Sequence, residues 1–376
     1  MSMTSAPALD RDAARKFVDE YVAPAAGSFD ENQKIPKSFI AEVSQLGVWG
    51  GMVPRDFGGL GLDMPTLGAV HEEFGRGCSS LRSLLTVQSM VEWAISRRGT
   101  APQREDWLAS LATGEVLASF CLSEAEAGSH TQGIATTASR KGAAWILRGR
   151  KMWITGGQIA GLFLVFARTE SGISAFLVPA DAGVEVRPIT GILGTRASML
   201  AELVFDDVSV PLQAQLGPGG FAPGFVLTAA LDIGRYSVAC GSVGIIQGCL
   251  DATTDYVRER RIGDTLLADF QLTQAKIADM TTDAAAGRAL CERAGQLKEV
   301  GDEATVLATW VAKYFAARGA VKAAADAVQL HGANGCTGNY PVARYYRDAK
   351  IMEIIEGSSE VQQITIAAAV GRGRRR

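Results

Sequence analysis

Glu356 closes the apolar pair Ile354-Ile355, stands beside Gly357 and precedes Ser358-Ser359. A carboxylate that follows apolar residues into an interior loses hydration, its pKa rises, and its ionised form becomes a stronger base. The same residue in an exposed helix-capping turn would do no chemistry, and local features leave both readings open. The serines suit the start of a helix over 360–370, whose free N–H groups also suit an anion. Two other stretches carry groups that could meet a ligand. Phe120-Cys121-Leu122-Ser123-Glu124-Ala125-Glu126-Ala127-Gly128-Ser129-His130 ends a β-rich run in a loop of small and hydroxylated residues, able to line a phosphate or a heteroaromatic edge. Lys151-Met152-Trp153-Ile154-Thr155-Gly156-Gly157 puts an indole two residues from a hydroxyl. That pair offers a planar molecule one stacking face and one donor at its edge. Each stretch is also consistent with a strand-end turn and a core Trp. A fourth, Gln329-Leu330-His331-Gly332-Ala333-Asn334-Gly335, combines glycines that let backbone approach a ligand with amide side chains that can bond one.

Three zones of differing texture position these residues. Up to about residue 113 apolar spacing predicts helices over 11–22, 37–46, 64–74, 81–97 and 102–113, broken by the glycines of 58–61. From about 116 to 211 short β-rich runs at 145–150, 163–167, 173–178, 184–188 and 199–205 predict an antiparallel sheet or small barrel. Helical spacing then returns in long, Ala-rich, nearly Pro-free segments over 227–258, 269–300 and 303–330, suited to a packed bundle. A further helical mix of charge and apolar residues covers 345–354. The expected division is an N-terminal helical domain over 1–115, a central β domain over 116–215 and a C-terminal helical bundle over 216–370. Residues 371–376 read as a mobile basic tail.

Composition excludes several function classes. A chain of 376 residues fits two or three domains. Lys+Arg 37 against Asp+Glu 40 leaves net −3, so no global basic field attracts nucleic acid or anionic lipid. Apolar runs are short and interrupted, and the first residues lack the apolar centre of a signal peptide; a cytoplasmic enzyme is expected, with no membrane or nucleic-acid partner. The six cysteines are scattered without a C-x-x-C pair and read as reduced, mostly buried thiols. His71, His130 and His331 lack metal-ligand spacing, and no G-x-S-x-G elbow accompanies them, so neither a metal nor a serine triad is expected.

Together, in this order, the stretches resemble the acyl-CoA dehydrogenase family over about residues 10–370. FCLSEAEAGSH resembles the family's first signature, KMWITGG its Trp-Ile-Thr flavin strand, and LDIGRYSVACGSVGIIQGCLDATTDYVRERR its long third-domain helix. QLHGANG and EIIEGSSEVQ resemble its cofactor loop and catalytic-Glu segment. The resemblance implies an acyl-CoA dehydrogenase-like fold: an N-terminal α-helical domain, a central β-barrel or sheet domain and a C-terminal four-helix bundle. It implies FAD as cofactor and an acyl thioester as substrate, with Glu356 taking the α-proton while flavin N5 takes the β-hydride. The family holds the thioester oxygen with the backbone N–H of the base residue and a flavin ribityl hydroxyl. Leu122 and Ser123 would bond the flavin's pyrimidine side and N5 region, with Phe120 in the same cofactor-binding set. Trp153 would pack on the isoalloxazine, Thr155 donate near N5, and Ser129 touch the pyrophosphate. Arg260, Gln329, Gly332 and Ala333 would reach the FAD of a neighbouring subunit, and Ser358 and Glu360 would lie near the ADP portion of the cofactor. A homodimer or homotetramer follows, as does an electron-transfer flavoprotein or other electron acceptor. Some family members take the base one residue before the Arg of an Asp-x-x-Arg segment. Here that segment is Asp232-Ile233-Gly234-Arg235, and Gly234 cannot act as a base, which selects Glu356.

Several residues depart from the family pattern. His130 stands where Asp is usual, the aromatic expected near Arg260 is missing around Ile262-Gly263, Ala333 replaces a common Gly and Glu360 a common Gln. Residues 78–83 and 346–360 resemble acyl-carrier-protein dehydrogenases of antibiotic pathways, including methoxymalonyl-type polyketide extender-unit biosynthesis. In the family, the helix carrying the first segment walls the acyl pocket. Arg82 there, with its neighbouring Ser, would favour a short polar acyl chain; as a surface or interface ion-pair residue it would not. Asp232, Arg235 and Gly357 join Arg82 in the expected substrate-binding set. Carrier protein and CoA are not separated by residue types. The competing readings are a fatty acyl-CoA dehydrogenase of β-oxidation, a flavin monooxygenase or oxidase on the same fold, and a non-catalytic interaction homologue.

Overall fold

Side-chain caps set the first helices. Asp10 accepts the Ala13 N–H at 2.9 Å and opens α1 (Arg11–Phe17). In this computed structural model, which describes residues 9–373, α1 runs through a π-turn stretch, Val18–Val22, into α2 (Ala23–Asn32). The sequence expectation stops at 22 because Pro24 and Gly27 are poor helix formers. Pro24 falls in the first turn of α2, and the chain leaves α2 at a left-handed Gln33. After α3 (Lys37–Ser44), Asp63 caps α4 (Met64–Gly77), and α5 (Ser79–Arg98) follows after a single residue. A reciprocal Thr100–Gln103 capping box opens α6 (Ala101–Thr113).

The strands are β1 (Ala118–Cys121), β2 (Thr137–Lys141), β3 (Ala144–Ile154), β4 (Leu162–Thr169), β5 (Gly172–Pro179), β6 (Glu185–Pro188), β7 (Ala201–Pro211) and β8 (Gln215–Leu216). They form one sheet in the order β6-β7-β3-β2-β4-β5-β8, with β1 beside β4. The antiparallel expectation is corrected in part: β1–β4 and β2–β4 are parallel. Parallel neighbours need long connections, and the 122–136 loop with the β2–β3 hairpin supplies one. β1 and β2 lack a period-2 signal because β1 is buried at every position and β2 is nearly all exposed.

The third zone opens on α7 (Thr228–Glu259). A small hairpin of β9 (Arg261–Ile262) and β10 (Thr265–Leu266) leads to α8 (Gln271–Glu299) and α9 (Thr305–His331), then α10 (Val342–Met352) and α11 (Ser359–Gly373). α7, α8 and α9 pack on one another, α10 lies on α7 and α9, and α11 lies on α9. α11 continues to Gly373, so the tail expected from residue 371 begins as helix; Arg374–Arg376 lie outside the described residues. α4 and α5 pack on α7, which fuses the N-terminal helices to the bundle. Tyr236 of α7 donates to the Met64 carbonyl at 2.9 Å across that seam. Five cysteines are buried, Cys336 is exposed, and all six are free. Among the described residues no helix is long and apolar enough to cross a membrane.

Candidate active site

Glu356 lies between α10 and α11 in a left-handed turn, with φ +55° followed by φ +91° at Gly357. That backbone costs a residue with a Cβ about 1–2 kcal/mol, so something must hold it. Arg235 of α7 donates Nε to the Glu356 carbonyl at 3.2 Å. Gln362 of α11 donates Nε2 to the same carbonyl at 3.2 Å and to that of Gly357 at 3.1 Å. Lys313 of α9 donates Nζ to the Gly357 carbonyl at 2.7 Å. Ser358 accepts the Val361 N–H at 3.5 Å, and the helix starts at Ser359, one residue earlier than expected.

The carboxylate points inward. Its Oε2 is buried and has no hydrogen-bond partner among the described residues. Burial raises the Glu356 pKa, opposed by the cations Arg235, Lys313 and Arg82 in that order. A Cβ at Gly234 would sit 2.5 Å from Oε2 and 2.9 Å from the Met90 sulfur. Residue 234 therefore faces Glu356 across the same small space, and only glycine leaves room there for the carboxylate.

Arg82 is on α5, fully buried. It donates to Thr86 Oγ1 at 2.9 Å, Ser83 Oγ at 3.0 Å and the Met352 sulfur at 3.4 Å, while Nε has no partner. Thr86 continues the polar chain to Ser237 Oγ at 2.6 Å. Among the described residues no carboxylate lies within ion-pair distance of Arg82. The reading as a surface ion-pair residue is thus excluded. Burial lowers its pKa to about 10, with the Glu356 charge the first to oppose this.

A second cluster shapes the loop after β1. Lys151 of β3, fully buried, donates to the Leu122 carbonyl at 3.0 Å and to Glu124 Oε1 at 2.8 Å. Glu124 accepts the N–H groups of Ala135 and Thr136 at 2.6 and 3.0 Å, which closes the loop. Met152 N–H donates to the Ser123 carbonyl at 2.9 Å, so Leu122 and Ser123 lie beside the strand carrying Trp153. Trp153 adopts φ +63° and is 55% exposed, an open indole face on an otherwise buried strand end.

The described geometry is a carboxylate with a buried oxygen, a buried cation near it and an exposed aromatic plane on the strand beside a pinned loop. Three family descriptions cover most of the chain: "Acyl-CoA dehydrogenase, N-terminal domain" over residues 8–115, "middle domain" over 119–208 and "C-terminal domain" over 224–371. The rat mitochondrial short-chain specific acyl-CoA dehydrogenase is 34% identical over 373 residues, 97% of this chain and 90% of the relative. The chain belongs to the acyl-CoA dehydrogenase family. Its fold is also similar to a glutaryl-CoA dehydrogenase from Mycobacterium smegmatis in complex with FADH2, with TM-score 0.90, 32% identity and coverage of 96% and 93% of the two chains. It is likewise similar to FkbI, described as acting in biosynthesis of a methoxymalonyl extender unit of a polyketide immunosuppressant, with TM-score 0.89, 34% identity and coverage of 95% and 99%.

As an acyl-CoA dehydrogenase family member the chain is an oxidoreductase acting on a CH–CH group, and its cofactor is FAD. The residues present fit that group: the indole of Trp153 has an open face, and Gly332 (φ +60°) has free space at its α-carbon. Other expected cofactor residues are distributed as follows. Phe120 packs its ring in the core against Phe166, centroids 5.0 Å apart. β1 is buried on both faces. The Thr155 carbonyl accepts from Ser119 Oγ at 2.7 Å. Ser129 and Glu360 are exposed, and Ser358 is half-buried. Gln329, in the last turn of α9, and Gly332 and Ala333, in the turn that follows, are exposed. Tyr256 stacks on His331 (4.2 Å) and accepts from Asn334 at 3.0 Å, and Arg260 lies one helical turn beyond it. One end of the bundle thus carries all four residues expected to reach a neighbour's cofactor. Asp232 pairs with Lys298, with its Oδ1 buried and unpartnered.

Sequence reasoning missed Lys313, Gln362, Thr86, Lys151 and Glu124. Lys313 carried a signal, a lone cation in the apolar stretch Trp310-Val311-Ala312-Lys313-Tyr314-Phe315. Gln362 carried none.

Proposed function

We propose that the chain dehydrogenates a short, polar acyl thioester on an acyl carrier protein or CoA in secondary metabolism, with Glu356 as the base. The observation that carries this reading is the buried Oε2 of Glu356 beside a buried Arg82, the first without a hydrogen-bond partner and the second without a carboxylate partner among the described residues. Glu356 removes the proton from Cα. Its backbone N–H, aimed by the left-handed turn, donates to the thioester oxygen as negative charge develops there, which acidifies the α-C–H bond. FAD, when bound, supplies the acceptor for the hydride leaving Cβ, and a Cα=Cβ double bond results. Burial keeps water from the carboxylate and strengthens it as a base.

Leu122, Ser123, Ser129, Trp153 and Thr155 hold FAD within one chain. Arg260, Gln329, Gly332 and Ala333 reach the FAD of a second copy, so the working form is a homodimer or homotetramer, and Ser358 and Glu360 lie near the ADP portion of the cofactor. Arg82, with Ser83 and Thr86, receives the polar end of the acyl chain. Asp232, Arg235 and Gly357 serve the thioester end, Arg235 through its bond to the base turn. Reduced enzyme passes electrons to an electron-transfer flavoprotein or another acceptor in the cytoplasm. The working division is 1–115, 116–215 and 216–370. A short apolar acyl-CoA is the second reading, favoured by the likeness to the rat enzyme.

The test is anaerobic mixing of the yellow enzyme with a panel of CoA and carrier-protein thioesters, polar and apolar, while flavin bleaching is followed. Polar short chains are expected to bleach fastest. Glu356→Gln should retain FAD and lose turnover by about 10²-fold or more; near-wild-type turnover in that variant rejects Glu356 as base.

A further inference from the structure

Both carbonyls of the turn that carries Glu356 are held by side chains from three helices, and two of those side chains, Lys313 and Gln362, are fully buried. Gln362 shows that a neutral amide is enough to hold a carbonyl in this place. An ammonium does the same at a greater desolvation cost. Lys313 has one hydrogen-bond partner, the Gly357 carbonyl, and among the described residues no carboxylate lies within ion-pair distance of its Nζ. A buried charge without an ion-pair partner points to a use for the charge itself.

We propose that Lys313 is a positioning residue for the base: it locks the Gly357 carbonyl in the left-handed turn, and its charge sets the ionisation of Glu356. The proposal rests on the reading of Glu356 as the base. Three cations face that carboxylate: Arg82 from α5, Arg235 from α7 and Lys313 from α9. Lys313 in turn faces Glu356, Arg235, Glu353 and Glu360. Burial lowers the Lys313 pKa to about 8, so it is still cationic below neutral pH. It is also the one cation of the three that can lose its proton near neutral pH, since an arginine holds its proton far above that range.

The sign follows. With the cation removed, burial acts on Glu356 with less opposition, its pKa rises further, and more alkali is needed to form the base. The experiment measures the pH dependence of kcat for the FAD-loaded wild type, Lys313→Met, Lys313→Gln and Lys313→Arg. It also follows by NMR the exchange of the methyl protons of an acetyl thioester with deuterium from solvent. That thioester has no β-carbon to oxidise, so exchange reports proton removal alone. Melting temperatures complete the set. Lys313→Met should shift the acid limb upward by about 0.5–1 pH unit and slow exchange near pH 6 by roughly 3–10-fold. Lys313→Gln, which keeps a donor, should show the same shift with less loss of melting temperature, and Lys313→Arg should keep the wild-type limb. An acid limb unmoved in both neutral variants, whatever their melting temperatures, overturns the proposal. Wild type that neither exchanges nor oxidises any thioester fails the base reading itself, a result separate from unmoved limbs in an active series.

Discussion

Arg82 is a fully buried guanidinium whose neighbours are hydroxyls, a thioether and a second buried base, His71. Burial and the Arg82 charge lower the His71 pKa to about 3, and both ring nitrogens lack partners. A lone cation in such a place is costly, and the polar end of an acyl chain would offset that cost. Arg82→Leu should move the kcat/KM ratio from polar toward apolar short-chain thioesters by about tenfold or more, read by competition between two substrates. An unchanged ratio removes the specificity argument. The residue type at 82 was legible in the chain, but its burial was not. An Arg in a helix is most often a surface residue, and only the packing of α5 on α7 takes this one out of water.

At the scale of elements, α5 does more than carry Arg82. Gln88 accepts the Ala118 N–H of β1 at 2.7 Å and donates to the Leu111 carbonyl of α6 at 3.1 Å. Glu92, one turn on, accepts the Met52 N–H at 3.2 Å. Burial raises the Glu92 pKa well above the usual carboxylate range. The folded state therefore keeps a proton that the unfolded chain releases. Stability is lost as pH rises from the ordinary carboxylate value toward the folded one. Glu92→Gln removes that linkage. The variant should match wild type near pH 4 and gain on it by about 1.4 kcal/mol per pH unit above that, up to the folded pKa. Urea unfolding at pH 4, 6 and 8 checks this, and a gap that does not widen with pH contradicts it. The helix itself was legible from its apolar run, whereas which of its polar residues are interior depends on three neighbouring elements.

The whole molecule depends on the seam between α4 and α7. A Cβ at Gly244 would overlap the Glu72 carbonyl of α4, so the two backbones touch there. The same Glu72 accepts from Arg11 of α1 and Arg288 of α8 on either side. Gly244→Ala should push the helices apart and cost about 2 kcal/mol, seen as a melting temperature several degrees lower. An unchanged melting temperature would show that the seam relaxes freely. Because α5 follows α4 after one residue, loosening the seam should also move Arg82 relative to Glu356.

Long helices and short strands come from local periodicity and local chemistry, and the resemblance of four motifs in order implied the family, the cofactor and the segment bearing Glu356. The tertiary structure decided what those residues experience. It buried the Glu356 carboxylate against a glycine 122 positions earlier. It placed Arg82, Arg235 and Lys313 around that carboxylate from three helices, and it turned Phe120 into the core. Burial and long-range charge contacts are properties of packing between distant segments. A pKa, a free cation or an open ring face therefore takes its value only once the helices and sheet have met.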